Sequence, residues 1–147
     1  MPAQSTARAH WSGALLTGNG TVSTTSPALV DTPLTWRARI GEVAGTTPEE
    51  LLAAAHAGCY CMAFSGALAK AGHEPDHLDA SATFTFGPVE GGFAIQGVTL
   101  KVEGVVPGID EAEFLELAEG AKLGCPVSKA LDDALPVTLE AKLLQTA

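Results

Sequence analysis

Three stretches of the chain alternate apolar and polar residues with a period of two, the mark of a half-buried strand. Leu78, Ala80, Ala82, Phe84 and Phe86 interleave with Asp79, Ser81, Thr83 and Thr85. After the turn at Gly91-Gly92, Ala94, Gln96, Val98, Leu100 and Val102 share one face of a second strand. Phe93 and Ile95 fall out of phase with Val98, which predicts a bulge near Gly97. Val137, Leu139, Ala141 and Leu143 alternate with Thr138, Glu140 and Lys142 in a last strand. Nearer the start, turn signals recur at Ser12-Gly13, Gly18-Asn19-Gly20 and Thr32-Pro33. The short runs between them are rich in Thr, Val and Trp and predict a meander of short strands. The segment Trp36-Arg37-Ala38-Arg39-Ile40 also reads as strand, with both arginines on one face.

A different period governs the middle. Thr46-Thr47-Pro48-Glu49-Glu50 opens a helix, with Thr47 as N-cap, Pro48 as first helical residue and Glu50 completing a capping box. It runs to about Ala71, where Gly72 ends it. This helix is apolar on nearly every face, so it is expected to be buried on nearly every face. One small chain has few elements with which to wrap it, and a dimer that packs it centrally is the natural solution. A second helix starts at Asp110 or a neighbour, with Phe114, Leu115, Leu117, Ala118 and Ala121 inward, and Gly124 ends it. Cys125-Pro126 opens a further short helix reaching to about Leu135. The order is β-meander, α, ββ, αα, β, an α+β protein of one domain over 1–147.

Composition narrows the function classes. Apolar residues make up 46% and charged ones 17%, which excludes a disordered chain. The formal charge of −9 argues against nucleic acid and against anionic membrane surfaces, whose affinity comes from basic groups. No apolar leader is visible at the N-terminus, so a cytoplasmic location is expected. Residues 51–68 are nearly uninterrupted in apolar character, but they are mostly small, so a core helix is expected there rather than a membrane span.

Three cysteines carry the candidate chemistry: Cys59, Cys61 and Cys125. An odd number argues against a disulfide scaffold; metal binding, redox chemistry and plain burial stay open. Cys59 and Cys61 lie about 200° apart around the helix, so they cannot face one site. Cys125, between a helix-ending Gly and a helix-starting Pro, sits where free backbone N–H groups favour thiolate. Burial of Cys59 would raise its pKa, so reactivity there calls for a cation. His56, one turn before Cys59, could touch it, although a core histidine bonded to backbone is the simpler expectation. His10, His73 and His77 are scattered. The early glycines lack the context of a phosphate-cradling loop, and no cofactor is called for.

Several motifs together resemble the OsmC/Ohr family, the osmotically induced and organic hydroperoxide resistance proteins. They are Ala9-His10-Trp11 with GNGTVS at 18–23, Thr47-Pro48-Glu49-Glu50-Leu51 leading into Ala54-Ala55-His56-Ala57-Gly58-Cys59, Val106-Pro107-Gly108-Ile109-Asp110, and AKLGCPVS at 121–128. The form around His56 and the overall spacing look like the OsmC branch. The resemblance implies an intertwined homodimer with sheets wrapping the central helices. It also implies a thiol peroxidase acting on organic hydroperoxides and recycled by an external dithiol. Position by position, Cys59 matches the peroxidatic cysteine and Cys125 the resolving one. Arg39 matches the arginine that holds the thiolate, and Glu49 the glutamate that orients it. Arg37 and Cys61 have no place in the pattern, and Glu50 is left to capping alone. Glu49 and Cys59, ten residues apart on one helix, are separated by about 15 Å of rise. The Glu49 that serves a given Cys59 is therefore expected from the partner subunit, across antiparallel helices. Two rival readings remain: a non-enzymatic dimer that binds small apolar molecules, and a metal protein using Cys59, His56 and Cys125.

Overall fold

The computed structural model describes residues 1–131 and 133–145. The chain divides into two compact units, Met1–Leu51 and Leu52–Ala147.

The first unit holds an antiparallel meander of β1 (Ala7–Ser12), β2 (Asn19–Thr24) and β3 (Thr32–Leu34). Gly20 has a steric reason to be glycine: a Cβ there would lie 2.4 Å from the His10 carbonyl oxygen and 2.7 Å from the Trp11 ring. The segment expected as a further strand is instead a single helical turn, α1 (Trp36–Arg39). Thr35 decides this. Its backbone is extended and its hydroxyl accepts the Ala38 N–H at 3.1 Å, an N-cap that satisfies one of the turn's orphan donors. Arg37 and Arg39 consequently point to different sides and take different carboxylates.

The long helix α2 (Pro48–Lys70) begins in this unit and continues into the second. Its start follows the sequence pattern, with the Glu50 N–H donating to the Thr47 hydroxyl at 3.0 Å. Gly72, at φ +90°, lies just beyond its end in a conformation that side chains resist.

In the second unit β4 (His77–Val89) and β5 (Gly92–Val105) form an antiparallel hairpin. The register passes from Thr85 opposite Gly97 to Phe86 opposite Ile95, so Gln96 is the extra residue of the bulge expected beside Gly97. Then follow α3 (Glu111–Gly124), α4 (Pro126–Ala130) and β6 (Val137–Leu144), which pairs parallel to β5. A parallel neighbour needs a long crossover, and α3 with α4 supplies it. Asp110 caps α3 by accepting the Glu113 N–H at 2.9 Å. The short helix expected to reach about Leu135 stops at Ala130; position 132 lies outside the described residues.

The core of this unit joins Tyr60, Phe64 and Leu68 of α2 to Leu100 and Val102 of β5 and to Phe114, Ala118 and Ala121 of α3. The Phe64 and Phe114 rings meet edge-on, 5.1 Å between centroids. Leu115, expected inward, is exposed because the buried stripe of α3 runs through 114, 118 and 121. The expected all-round burial of α2 is not met within one chain either. His56, Tyr60, Phe64 and Leu68 are fully covered, whereas Met62 is 78% exposed. By length and composition α2 could cross a membrane, but this four-residue stripe is committed to the core.

Candidate active site

The second unit brings two sulfurs together. Cys59 lies on α2, half-buried, and Cys125 is fully buried at the junction of α3 and α4. Their Sγ atoms are 3.4 Å apart in the dithiol state, in hydrogen-bonding contact. Cys61 looks elsewhere: its neighbours are the Ala80 N–H and Asp79, both on β4. The near-opposite directions of positions 59 and 61 on one helix account for the split.

The two partners of the pair differ in ionisation. Burial pushes the Cys59 thiol up; the Val127 N–H opposes this, and Cys125 adds to the rise. Burial acts on Cys125 in the same sense, yet its thiol is held below the ordinary value. The Ser128 N–H, the Cys59 contact, the Ser128 hydroxyl and the Val127 N–H together outweigh the desolvation. Cys125 makes no close side-chain capping bond to α4; the gain comes from several dipoles oriented toward a large, soft atom. Within this unit, then, the two thiols are pushed in opposite directions, Cys59 up and Cys125 down.

His56 neither takes a backbone partner nor turns to Cys59. Its Nε2 meets the Ser128 Oγ at 2.8 Å, and its ring stands edge-on to Phe84 at 5.8 Å. The carbonyls of α2 are already engaged by the helix, so the ring reaches across to α4. Burial lowers its pKa, which keeps the imidazole neutral, and its Nδ1 is buried with no partner. Ser128 carries no catalytic motif in the sequence. The available signal was its place three residues after the N-cap Cys125, the position whose side chain folds back toward a cap. Among the described residues no group of three or more His, Cys, Asp or Glu side chains is arranged to hold a metal ion.

The first unit holds the other predicted pair. Arg39, at the end of α1, grips Glu49, the second residue of α2, in a two-point clamp. Its Nε donates to both carboxylate oxygens, at 3.1 and 3.3 Å, and its Nη2 donates to Oε1 at 2.8 Å. Glu49 is only 5% exposed, so this fork supplies the partner that a buried carboxylate needs. Beside Arg39, the side chains of Trp11, Leu15, Leu34, Trp36 and Pro48 line a mostly apolar cavity of about 310 Å³.

A cysteine of a long apolar helix brought against a second one at the junction of two later helices, within an α+β framework with a parallel third strand, defines a thiol-redox class of protein. Comparison with known proteins narrows the class. Residues 41–140 match the family described as OsmC-like protein. The chain is 42% identical to the peroxiredoxin OsmC of Escherichia coli over 135 residues, 92% of this chain and 94% of that one. It is 33% identical to an organic hydroperoxide resistance protein of Xanthomonas axonopodis pv. citri over 96 residues, 65% of this chain and 66% of that one. The crystal structure of the organic hydroperoxide resistance protein OhrB of Bacillus subtilis superposes with a TM-score of 0.71 at 30% identity, covering 92% of this chain and 97% of that one. The chain belongs to the OsmC-like family. These relatives support a peroxidase-type stress protein.

Proposed function

We propose that this chain is a two-cysteine thiol peroxidase that reduces organic hydroperoxides, and hydrogen peroxide less well, to alcohol or water. The observation that carries the reading is the pair of free sulfurs 3.4 Å apart, one on α2 and one at the head of α4. The Cys59 thiolate attacks a peroxide oxygen: an S–O bond forms, the O–O bond breaks, and the alkoxide leaves and takes a proton. Cys125 then attacks the sulfenic sulfur, an S–S bond forms, and hydroxide leaves to become water. An external dithiol returns both sulfurs to thiols. No cofactor is required, because the electrons come from that dithiol, and a reducing compartment such as the cytoplasm suits the cycle.

An ordinary thiol is only a few per cent ionised at neutral pH, and burial pushes Cys59 higher still. The cation that offsets this is Arg39, oriented by Glu49. Some 15 Å of helical rise separates Glu49 from Cys59 on the same α2, so the clamp that serves each Cys59 comes from the partner subunit of a homodimer. The open apolar side of α2 is then the surface that dimerisation covers, and residues 1–147 act as one domain in each subunit. The apolar cavity beside Arg39 suits the alkyl part of an organic hydroperoxide.

The deciding experiment is mass spectrometry after one equivalent of cumene hydroperoxide. A Cys59–Cys125 disulfide is expected. Retained peroxidase activity in Cys59→Ser, or no covalent link between the two sulfurs, would overturn the assignment. The same cavity also favours a second reading, a non-enzymatic binder of small apolar molecules. That reading gains if ligand affinity is unchanged by thiol alkylation and peroxide is not consumed.

A further inference from the structure

Resting on the peroxidase reading, we propose that His56 and Ser128 are positioning residues for the resolving sulfur. A one-way chain of hydrogen bonds, from His56 Nε2–H to Ser128 Oγ and from Ser128 O–H to Cys125 Sγ, holds Cys125 as an acceptor facing Cys59.

Proton counting sets the direction. A serine hydroxyl has one hydrogen. Ser128 stands in the first turn of α4, three residues after its N-cap Cys125, with its hydroxyl among the groups that act on that sulfur; in the proposed chain its hydrogen is directed there. Ser128 Oγ then meets His56 Nε2, 2.8 Å away, as an acceptor. His56 Nε2 must carry the imidazole proton, and Nδ1 must be the bare lone pair. Nδ1 is the one buried side-chain polar atom without a partner among the described residues. An orphaned lone pair in that position costs less than an orphaned N–H, so this tautomer is the one the buried site tolerates. A fully buried imidazole kept neutral cannot donate from both nitrogens, so the chain cannot reverse without stranding a donor.

The chain matters at the second chemical step. When the Cys125 thiolate attacks the Cys59 sulfenic acid, the S–S bond forms as the S–O bond breaks. Hydroxide departs and takes up a proton from solvent, so His56 gains no charge. Ser128 and His56 need only keep the sulfur unprotonated and aimed. Among the described residues, these titratable groups are carried by the helices that meet at Cys125. Helix α2 presents Cys59, His56 and Tyr60, whose hydroxyl donates to the Ala118 carbonyl. Helix α3 presents Glu119, paired with Lys122, and α4 carries Lys129. The sheet contributes Phe84 against the imidazole.

The test needs no peroxide, so it can fail while the peroxidase reading stands, and the reverse. In the Cys59→Ser/Cys61→Ser background Cys125 is the only thiol, and ultraviolet thiolate absorbance against pH gives its titration midpoint. Ser128→Ala and His56→Leu are each expected to raise that midpoint by about one unit, the worth of one hydrogen bond to a charged group. His56→Gln, which keeps an N–H donor at similar reach, is expected to restore most of the shift. Ser128→Ala removes a single oxygen and keeps the test usable if His56→Leu fails to fold. An unchanged midpoint in Ser128→Ala, or a His56→Gln that behaves like His56→Leu, overturns the proposal. In the unaltered protein, nitrogen-15 NMR of the His56 ring should find the proton on Nε2; a proton on Nδ1 overturns it as well.

Discussion

The Arg39–Glu49 clamp and the Cys59–Cys125 pair solve opposite electrostatic problems. The clamp buries a carboxylate and meets it with a full opposite charge from ten residues away, held by two local turns, α1 and the start of α2. The sulfur pair joins residues 66 positions apart, and within its unit Cys125 is supported by dipoles: the Ser128 and Val127 amides, the Ser128 hydroxyl and the Cys59 thiol. The Val127 N–H acts on both sulfurs, but the Ser128 amide and hydroxyl act on Cys125, and the two thiols shift in opposite directions. A guanidinium acts over a longer range and with more strength, but it needs a carboxylate to keep it aimed. Cys125 is thus lowered by groups of its own unit, whereas Cys59, in the proposed cycle, needs a cation.

The largest expected effect separates the two sulfurs. Cys125→Ser should abolish turnover while leaving the first oxidation intact, so dimedone should trap a persistent sulfenic acid on Cys59. No trapped species after peroxide treatment would count against the assigned order of attack. Next comes the clamp. Arg39→Ala should slow the first oxidation by about 100-fold or more, as loss of a preorganised charge stabiliser does. It should also destabilise the fold by about 1.5–3 kcal/mol, because Glu49 is left buried without its charged donor. Rapid-mixing kinetics and urea unfolding read the two effects separately, and Arg39→Lys should recover charge but not the two-point grip.

A smaller effect depends on pH. Burial lowers the His56 pKa from 6.5, so below that value the unfolded chain binds a proton that the folded chain refuses. Stability therefore rises with pH through this window and falls on acidification, by at most about 1.4 kcal/mol per pH unit. Urea midpoints measured across the window should show this slope, and His56→Gln should flatten it. The smallest effect is at the clamp's support: Thr47→Ala removes the cap that starts α2 and should cost about 1 kcal/mol in the same assay.

Much of this architecture was legible in the chain. Strand alternation located β4, β5 and β6, the phase slip at Phe93 and Ile95 located the bulge, and the Thr47 and Asp110 caps located two helix starts. The misreadings share a cause. Trp36 to Ile40 alternates like a strand, but one capping hydroxyl on Thr35 outweighs a five-residue pattern. Leu115 is apolar, yet the turn of α3 carries it past the buried stripe. His56 has Cys59 and the helix backbone as its neighbours in sequence, but its partner lies 72 residues away.

Taken alone, the sequence determined the elements, their order and the residue types that can carry thiol chemistry, because hydrophobic period, capping and turn chemistry act over a few neighbouring residues. Tertiary structure decided which sulfur is stabilised as thiolate, which hydroxyl meets the buried imidazole and which face of α2 is left uncovered. Those outcomes depend on distances between segments far apart along the chain, and on water excluded where the segments meet. No local pattern encodes either quantity.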